Sequence, residues 1–402
     1  MSWVEDPEFT ADHPFGPQTL PYGVLVTGDG PVVSVRVGRH ALPLRGVAGS
    51  LGPRLPELVS GARLDPLLAA GRDTWTELRE RVTELVTAAS APRGAELLRA
   101  DWHTLALPFT VGDFADFYSS RDHAENVGRI VRGGPAPLAD NWSHLPVAYH
   151  GRSGTVAVSG TDVVRPSGQR RSPGDDQPAF GPTRRLDFEA EVGFVCGGEP
   201  AAHLAPDDFE EHVFGAVLVN DWSARDIQAW EYVPLGPNLG KSFATSVSPW
   251  VVPLAALEAA RVPLPGQDPE PLPYLREDEP WGLDIDLAVE WNGEVVSRPP
   301  YRTMYWSPAQ MLAHMTVNGA RARTGDLYAS GTVSGPERHQ RGAFIELTEG
   351  GRNPITVKGE RRTFLQDHDE VAITATAPAT DGGRLGFGEV RGRVLPARAA
   401  TV

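Results

Sequence analysis

The segment Asn220-Asp221-Trp222-Ser223-Ala224-Arg225-Asp226-Ile227-Gln228-Ala229-Trp230-Glu231-Tyr232 carries two signals at once. Asp221 and Ser223 bear short oxygen-containing side chains that can accept from the free amides of a first helical turn, so a helix is predicted to begin here. On it Arg225, Gln228 and Tyr232 fall at i, i+3 and i+7 and share a face, while Ile227 and Trp230 point elsewhere. A guanidinium, an amide and a phenol in register suit an oxygen-rich ligand. A solvated helix face has the same spacing and stands as the alternative.

Upstream, Leu186 to Val195 has the period of a strand. Leu186, Phe188, Ala190, Val192 and Phe194 fall on one face, and Asp187, Glu189, Glu191 and Gly193 on the other. Carboxylates side by side repel unless water screens them or a cation neutralises them. Asp116 and Asp221 add acids at the edges of predicted elements, and carboxylate oxygens are what calcium or magnesium prefers. Earlier still, Ser119 or Ser120 is placed to cap a short helix carrying His123, with Asp116 and Tyr118 just before it and Arg132 a little beyond. A lone histidine is more often a hydrogen-bonded structural residue than a base, so spacing leaves both roles open. Downstream, Gly236 to Ser242 imitates a phosphate-binding loop. It has three residues between its glycines where that loop needs four, which excludes it and leaves Lys241 as a fixed cation.

The rest of the chain is mostly strand and turn. Val24–Val26 and Val32–Val37 flank Gly28-Asp29-Gly30 as a hairpin, and a second hairpin turns at Asn292-Gly293 between runs 283–289 and 294–296. A helix is predicted over 74–87 with Asp73 or Thr74 as cap, and Leu105 to Val111 turns β-like. Ser307-Pro308-Ala309-Gln310 announces a helix through Val317 with a capping box. Runs 343–347, 370–374 and 389–394 read as strands.

Composition narrows the function. A formal net charge of -15 opposes binding to nucleic acid or an anionic membrane. The single cysteine, Cys196, excludes an intrachain disulfide and a cysteine-rich zinc site, as in a reducing cytoplasm. No signal-peptide pattern and no apolar run of bilayer-spanning length are present, so the expected location is cytoplasmic.

Four motifs carry a resemblance. They are Asp116-Phe117-Tyr118-Ser119-Ser120-Arg121-x-His123-Ala124, Asn141-Trp142-x-His144-Leu145-Pro146-Val147-x-Tyr149-His150-Gly151-Arg152, Asn220 to Gln228, and Ser330-Gly331-Thr332-Val333-Ser334-Gly335-Pro336-Glu337. Their sequence and order resemble the fumarylacetoacetase family. The resemblance implies a mainly β fold with some α: a small N-terminal SH3-like β-barrel at residues 1–106, then a catalytic metal-binding β-roll at 107–402. It implies a homodimer that hydrolyses a carbon–carbon bond of 4-fumarylacetoacetate, the last step of tyrosine and phenylalanine catabolism.

By the same resemblance, Asp116, Glu189, Glu191 and Asp221 hold calcium, while Asp221, Lys241 through its backbone and Thr245 hold magnesium. His123 is the general base and Glu346 its orienting carboxylate. Arg225, Gln228 and Lys241 stabilise the oxyanion. Tyr118, Arg132, Tyr149, Gln228, Tyr232 and Thr332 contact substrate. Asp122 and Glu125 depart from the family by adding negative charge beside the histidine, and Asn238 stands where an aromatic is expected. The alternatives are an acylpyruvate or other β-diketone hydrolase of the same superfamily, or a non-catalytic calcium-dependent binding protein. The latter would have no need of His123, Glu346 and Lys241 together.

Overall fold

The computed structural model describes residues 2–398 except 7, 8, 11, 103, 132, 134–136 and 173. Thirteen strands make one large sheet: β1 (Tyr22–Thr27), β2 (Gly30–Val37), β3 (His40–Pro43), β4 (Leu98–Arg99), β5 (Thr104–Ala106), β6 (Phe114–Phe117), β7 (Ala148–His150), β8 (Val156–Val158), β9 (Ala190–Cys196), β10 (Val213–Asp221), β11 (Thr245–Val247), β12 (Trp250–Pro253) and β13 (Leu327–Ala329). The order is β4-β3-β2-β1-β12-β10-β9-β13-β6-β7, with β5 on β1 and β11 joining β10 to β8. Five helices matter below: α1 (Arg72–Thr87), α2 (Arg121–Val131), α3 (Arg225–Glu231), α4 (Pro308–Thr316) and α5 (Phe344–Leu347).

This pairing corrects the expected barrel and roll. The architecture is a mixed α/β arrangement of large sheets whose main path runs open from β4 to β7, without closing into a barrel or curling into a roll. The N-terminal strands do not close on themselves. Tyr22 and Gly23 of β1 pair with Val251 and Trp250 of β12, so the first strands continue the later sheet. Gly23 permits the join, since a Cβ there would come within 2.6 Å of the Trp250 ring. Such a contact between distant segments leaves no periodic mark in either one.

A second sheet orders Glu294–Ser297, Asp286–Trp291, Glu370–Pro378, Val390–Leu395 and Val163–Val164, with Arg384–Gly386 added to Glu370–Pro378. Its Asn292-Gly293 turn has positive φ at both residues, as a tight two-residue hairpin requires. The larger apolar core includes Phe188, Phe194, Trp222, Trp291, Trp306 and Phe344. Fully burying a large apolar side chain contributes about 1.5–3 kcal/mol each in transfer terms. A second core mixes Val24, Val35, Leu78 and Val82 with Val217, Val219 and Leu327, so packing crosses the same junction as the hydrogen bonds.

Several local expectations hold. The β1–β2 hairpin closes at Thr27 and Gly30, and α4 has the full Ser307–Gln310 capping box. Others change. α3 starts at Arg225 without a side-chain cap, because Asp221 ends β10 and Ser223-Ala224 pairs with Leu186-Asp187. The predicted strand over 186–195 breaks at Phe188-Glu189, and both faces of Ala190–Cys196 are buried. α1 starts one residue after Gly71, earlier than the Asp73 or Thr74 cap implied. The β-like run from Leu105 ends at Ala106. Residues 344–347, read as strand, form α5, because the Asp187 carboxylate accepts from the amides of Phe344 and Ile345 and caps the turn from a remote segment.

Candidate active site

Three strands of the large sheet bring acids together, with β13 lying between two of them. Asp116 lies on β6, Glu191 on β9 and Asp221 at the end of β10, and one oxygen from each lies within 4.8 Å of the others. All three are buried. Neither Glu191 oxygen has a hydrogen-bond partner, nor does Oδ1 of Asp116. Burial, and then the charges of Asp116 and Asp221, push Glu191 well above the carboxylate range. Burial likewise pushes Asp116 up to about 7, against the pull of Arg152. Asp221 goes the other way: Arg152 and Lys241 outweigh the burial that would raise it.

Arg152 was not singled out by the sequence. It donates to Asp116 Oδ2 at 2.6 Å, to Asp221 Oδ2 at 3.0 Å and also to Asp221 Oδ1. Its backbone is left-handed at φ 64, following Gly151 at φ 125. The only available signal was its place in the motif ending Tyr149-His150-Gly151-Arg152. Tyr149 adds a short hydrogen bond to Asp116.

Glu189 stands apart from the triad. It pairs with Lys241 and, through Oε1, with Arg225 Nη2 at 2.7 Å. Lys241 Nζ also reaches Asp221 Oδ2 at 2.5 Å, and Thr245 Oγ1 donates to Asp221 Oδ1 at 3.2 Å. Asp116, Asp187, Glu189, Glu191 and Asp221 are five carboxyl groups set against three cations, Arg152, Arg225 and Lys241, so the fully ionised set carries two negative charges without a match. An all-oxygen triad with that surplus and with partnerless buried oxygens fits a hard divalent cation.

On the opposite wall, α2 presents His123. Its amide bonds Ser120 Oγ at 3.2 Å, which bears out serine as the helix's starting partner. His123 Nδ1 lies 2.7 Å from Glu346 Oε2, and Glu346 also accepts from Asn126 at 3.0 Å and Ser334 at 2.9 Å. Although Glu346 is fully buried, His123 and these donors hold its carboxyl below the usual range. The Tyr118 and His123 rings meet edge to face with their centroids 5.2 Å apart. Of the two added acids beside the histidine, Glu125 is paired with Arg121 at 3.1 Å and Arg129 at 2.5 Å, so its charge is matched locally.

A cavity of about 280 Å³ lies between these walls, lined by Asp116, Tyr118, His123, Tyr149, Glu189, Arg225, Gln228, Tyr232, Lys241 and Thr332 among others. Thr332 Oγ1 is buried there without a protein partner. Glu191, Asp221, Thr245 and Glu346 are buried and are not part of this lining. Arg132 lies outside the described residues. A larger cleft of about 620 Å³ near Arg36, Trp250 and Arg391 lacks comparable chemistry, since Asp101 pairs with Arg99 and Arg391 with Glu370 and Glu389. The smaller cavity is where unmatched charge, a His–Glu pair and fixed donors converge.

Two family profiles divide the chain: "Fumarylacetoacetase N-terminal" matches residues 18–108 and "Fumarylacetoacetate (FAA) hydrolase C-terminal" matches 113–395. The chain belongs to the fumarylacetoacetase family. This is a family of hydrolases acting on carbon–carbon bonds. Fumarylacetoacetase of Caenorhabditis elegans is 44% identical, covering 98% of this chain and 99% of its own length. The Homo sapiens enzyme is 44% identical with 96% and 97% covered, and that of Arabidopsis thaliana 40% with 96% and 97%. Among solved structures, a fumarylacetoacetate hydrolase from Exiguobacterium antarcticum shares the fold at TM-score 0.57 and 16% identity, covering 94% of this chain and 100% of that one.

Proposed function

We propose that this protein hydrolyses 4-fumarylacetoacetate to fumarate and acetoacetate, as the last step of tyrosine and phenylalanine catabolism. The observation that carries the reading is that His123, paired with Glu346, lines one cavity with the donors Arg225, Gln228 and Lys241 and with Asp116 of the buried acidic triad. Asp116, Glu189, Glu191 and Asp221 would hold calcium, and Asp221, Thr245 and the Lys241 backbone a magnesium ion. Bound there, a divalent cation supplies Lewis acidity toward the keto oxygens of a β-diketone.

The chain's own groups account for the remaining steps. Glu346 engages Nδ1 of His123, leaving Nε2 as the basic nitrogen that takes a proton from water. The hydroxide so formed adds to the carbonyl next to the fumaryl unit. Arg225, Lys241 and the amide of Gln228 then donate to the oxyanion. Gln228 already spends its carbonyl on Arg225 at 3.1 Å, which turns its NH2 outward. Lys241 uses two of its three N–H bonds on Glu189 and Asp221 and keeps one. The carbon–carbon bond breaks with its electron pair leaving on the acetoacetate enolate, which the His123 imidazolium reprotonates. Tyr118, Arg132, Tyr149, Tyr232 and Thr332 would hold the substrate, an arginine being suited to a carboxylate end.

We further propose a homodimer, and a division at residue 106/107 that the two profile matches support despite the shared sheet. Among the described residues no helix is long and apolar enough to cross a membrane. The buried, unpaired Cys196 supports a cytoplasmic setting. The test is to incubate purified protein with fumarylacetoacetate and calcium and to measure fumarate. Stoichiometric release is expected. Absence of release with fumarylacetoacetate, but turnover of an acylpyruvate, would overturn the substrate.

A further inference from the structure

We infer that Asp187 is a positioning residue that sets the oxyanion donor and the base's partner as one unit; this rests on the roles proposed for Arg225 and Glu346. Asp187 does not line the cavity and is fully buried. Its carboxylate nevertheless joins both walls. Oδ2 accepts from Arg225 Nε at 2.8 Å and from the amide of Ile345 at 2.9 Å, while Oδ1 accepts from the amides of Phe344 at 2.7 Å and Phe188 at 2.8 Å. Four donors on two oxygens leave little freedom to either side.

The two sides are the catalytic ones. Arg225 is fixed through Nε by Asp187, which aims its other nitrogens at Glu189 and Gln228. Phe344 and Ile345 open α5, and the next residue is Glu346. The helix has one turn, so its register depends on what holds its first amides. Behind it Phe344 packs edge-on against Phe188 at 4.6 Å and against Trp291 at 4.3 Å, so it cannot shift to compensate. Asp187 also sits on the two-residue strand paired with Ser223-Ala224, immediately before α3. A movement of this one carboxylate therefore displaces Arg225 and Glu346 together.

Asparagine has the same shape but one acceptor, so its NH2 must face a donor on one side or the other. Asp187→Asn is expected to lower kcat about a hundredfold with KM within threefold. It should cost under tenfold in an Arg225→Gln or Glu346→Gln background, since groups acting through one another are non-additive. It should also move the His123 Nδ1 proton resonance, read by NMR without turnover. That signal tests Asp187 even if the substrate assignment fails. If D187N does not fold, Arg225→Lys keeps the cation while losing the fork, and should move the same resonance. An unchanged His123 resonance, or a full hundredfold cost in both backgrounds, would overturn the proposal.

Discussion

Glu191→Gln should change the protein in opposite senses with and without calcium. Glu191 is fully buried with both oxygens partnerless, and its oxygens lie among those of Asp116 and Asp221. Glutamine keeps the shape and removes the charge. In chelator the glutamine NH2 can donate to Asp116 Oδ1, which has no partner in the wild type, and satisfying a buried group in this way is worth about 1–3 kcal/mol in favour of the variant. At roughly 2.1 cal/mol/K per residue over 402 residues the unfolding entropy is about 0.8 kcal/mol/K, so the midpoint should rise by about 1–4 °C. In calcium at about 1,000 times the wild-type Kd, the wild type gains about 4.1 kcal/mol, or roughly 5 °C. A hundredfold weaker site in the variant gains only about 1.4 kcal/mol, or roughly 2 °C. Scanning calorimetry of both proteins in chelator and in calcium measures all four midpoints. A lower midpoint for the variant in chelator, or the same calcium-induced rise in both, would refute the reasoning.

The other predictions are shorter. His123→Ala should lower kcat by about 10² to 10⁴ while leaving the calcium-induced rise in midpoint intact, as kinetics and calorimetry would show; turnover within a few fold of wild type contradicts the base assignment. Lys241→Met takes one of two cations from each of Glu189 and Asp221, leaving Arg225 and Arg152 in place, and breaking such a buried pair costs up to about 3–5 kcal/mol. Denaturant titration should show the loss, smaller with calcium present. Glu277 is pushed up to about 7, chiefly by burial, although Ser307 donates to it at 2.7 Å. A raised carboxyl pKa means that its stabilising contribution is complete below the unfolded value and lost as pH rises through about 7. The contribution of Glu277 to stability should therefore fall between about pH 4.5 and 7 by about 1–2 kcal/mol after allowing for partial exposure, and Glu277→Gln should flatten the wild-type slope by that amount.

What could be read from the residues depended on how far the controlling contact lay along the chain. The β1–β2 hairpin and the α4 cap are written within a few residues, and both form as expected. The acidic residues were visible because Asp187, Glu189 and Glu191 alternate on a strand, although the alternation suggested a solvated face where the chain buries both. Asp221 was misread as a cap because its partners, Arg152, Lys241 and Thr245, come from other segments. The same holds for α5, whose first amides are capped by Asp187 from far upstream. The motifs marked His123 and most of the cavity lining, and the family resemblance added Glu346. Arg152, a buried cation among metal-ligand candidates, was legible only as one more residue of a motif.

The join between β1 and β12 also bears on how the chain reaches this state. Gly23 and Trp250 are 227 positions apart, yet their strands share a ladder, and β12 in turn pairs with β10, which ends at Asp221. During synthesis from the N-terminus β5 can cover Val24–Val26 early, but the Tyr22–Gly23 end of that edge must wait until more than half of the chain has been made. Contacts of such long separation close slowly, because a large loop entropy is lost before any pairing is gained. The waiting edge of β1 is the point at which nascent copies would stick to one another.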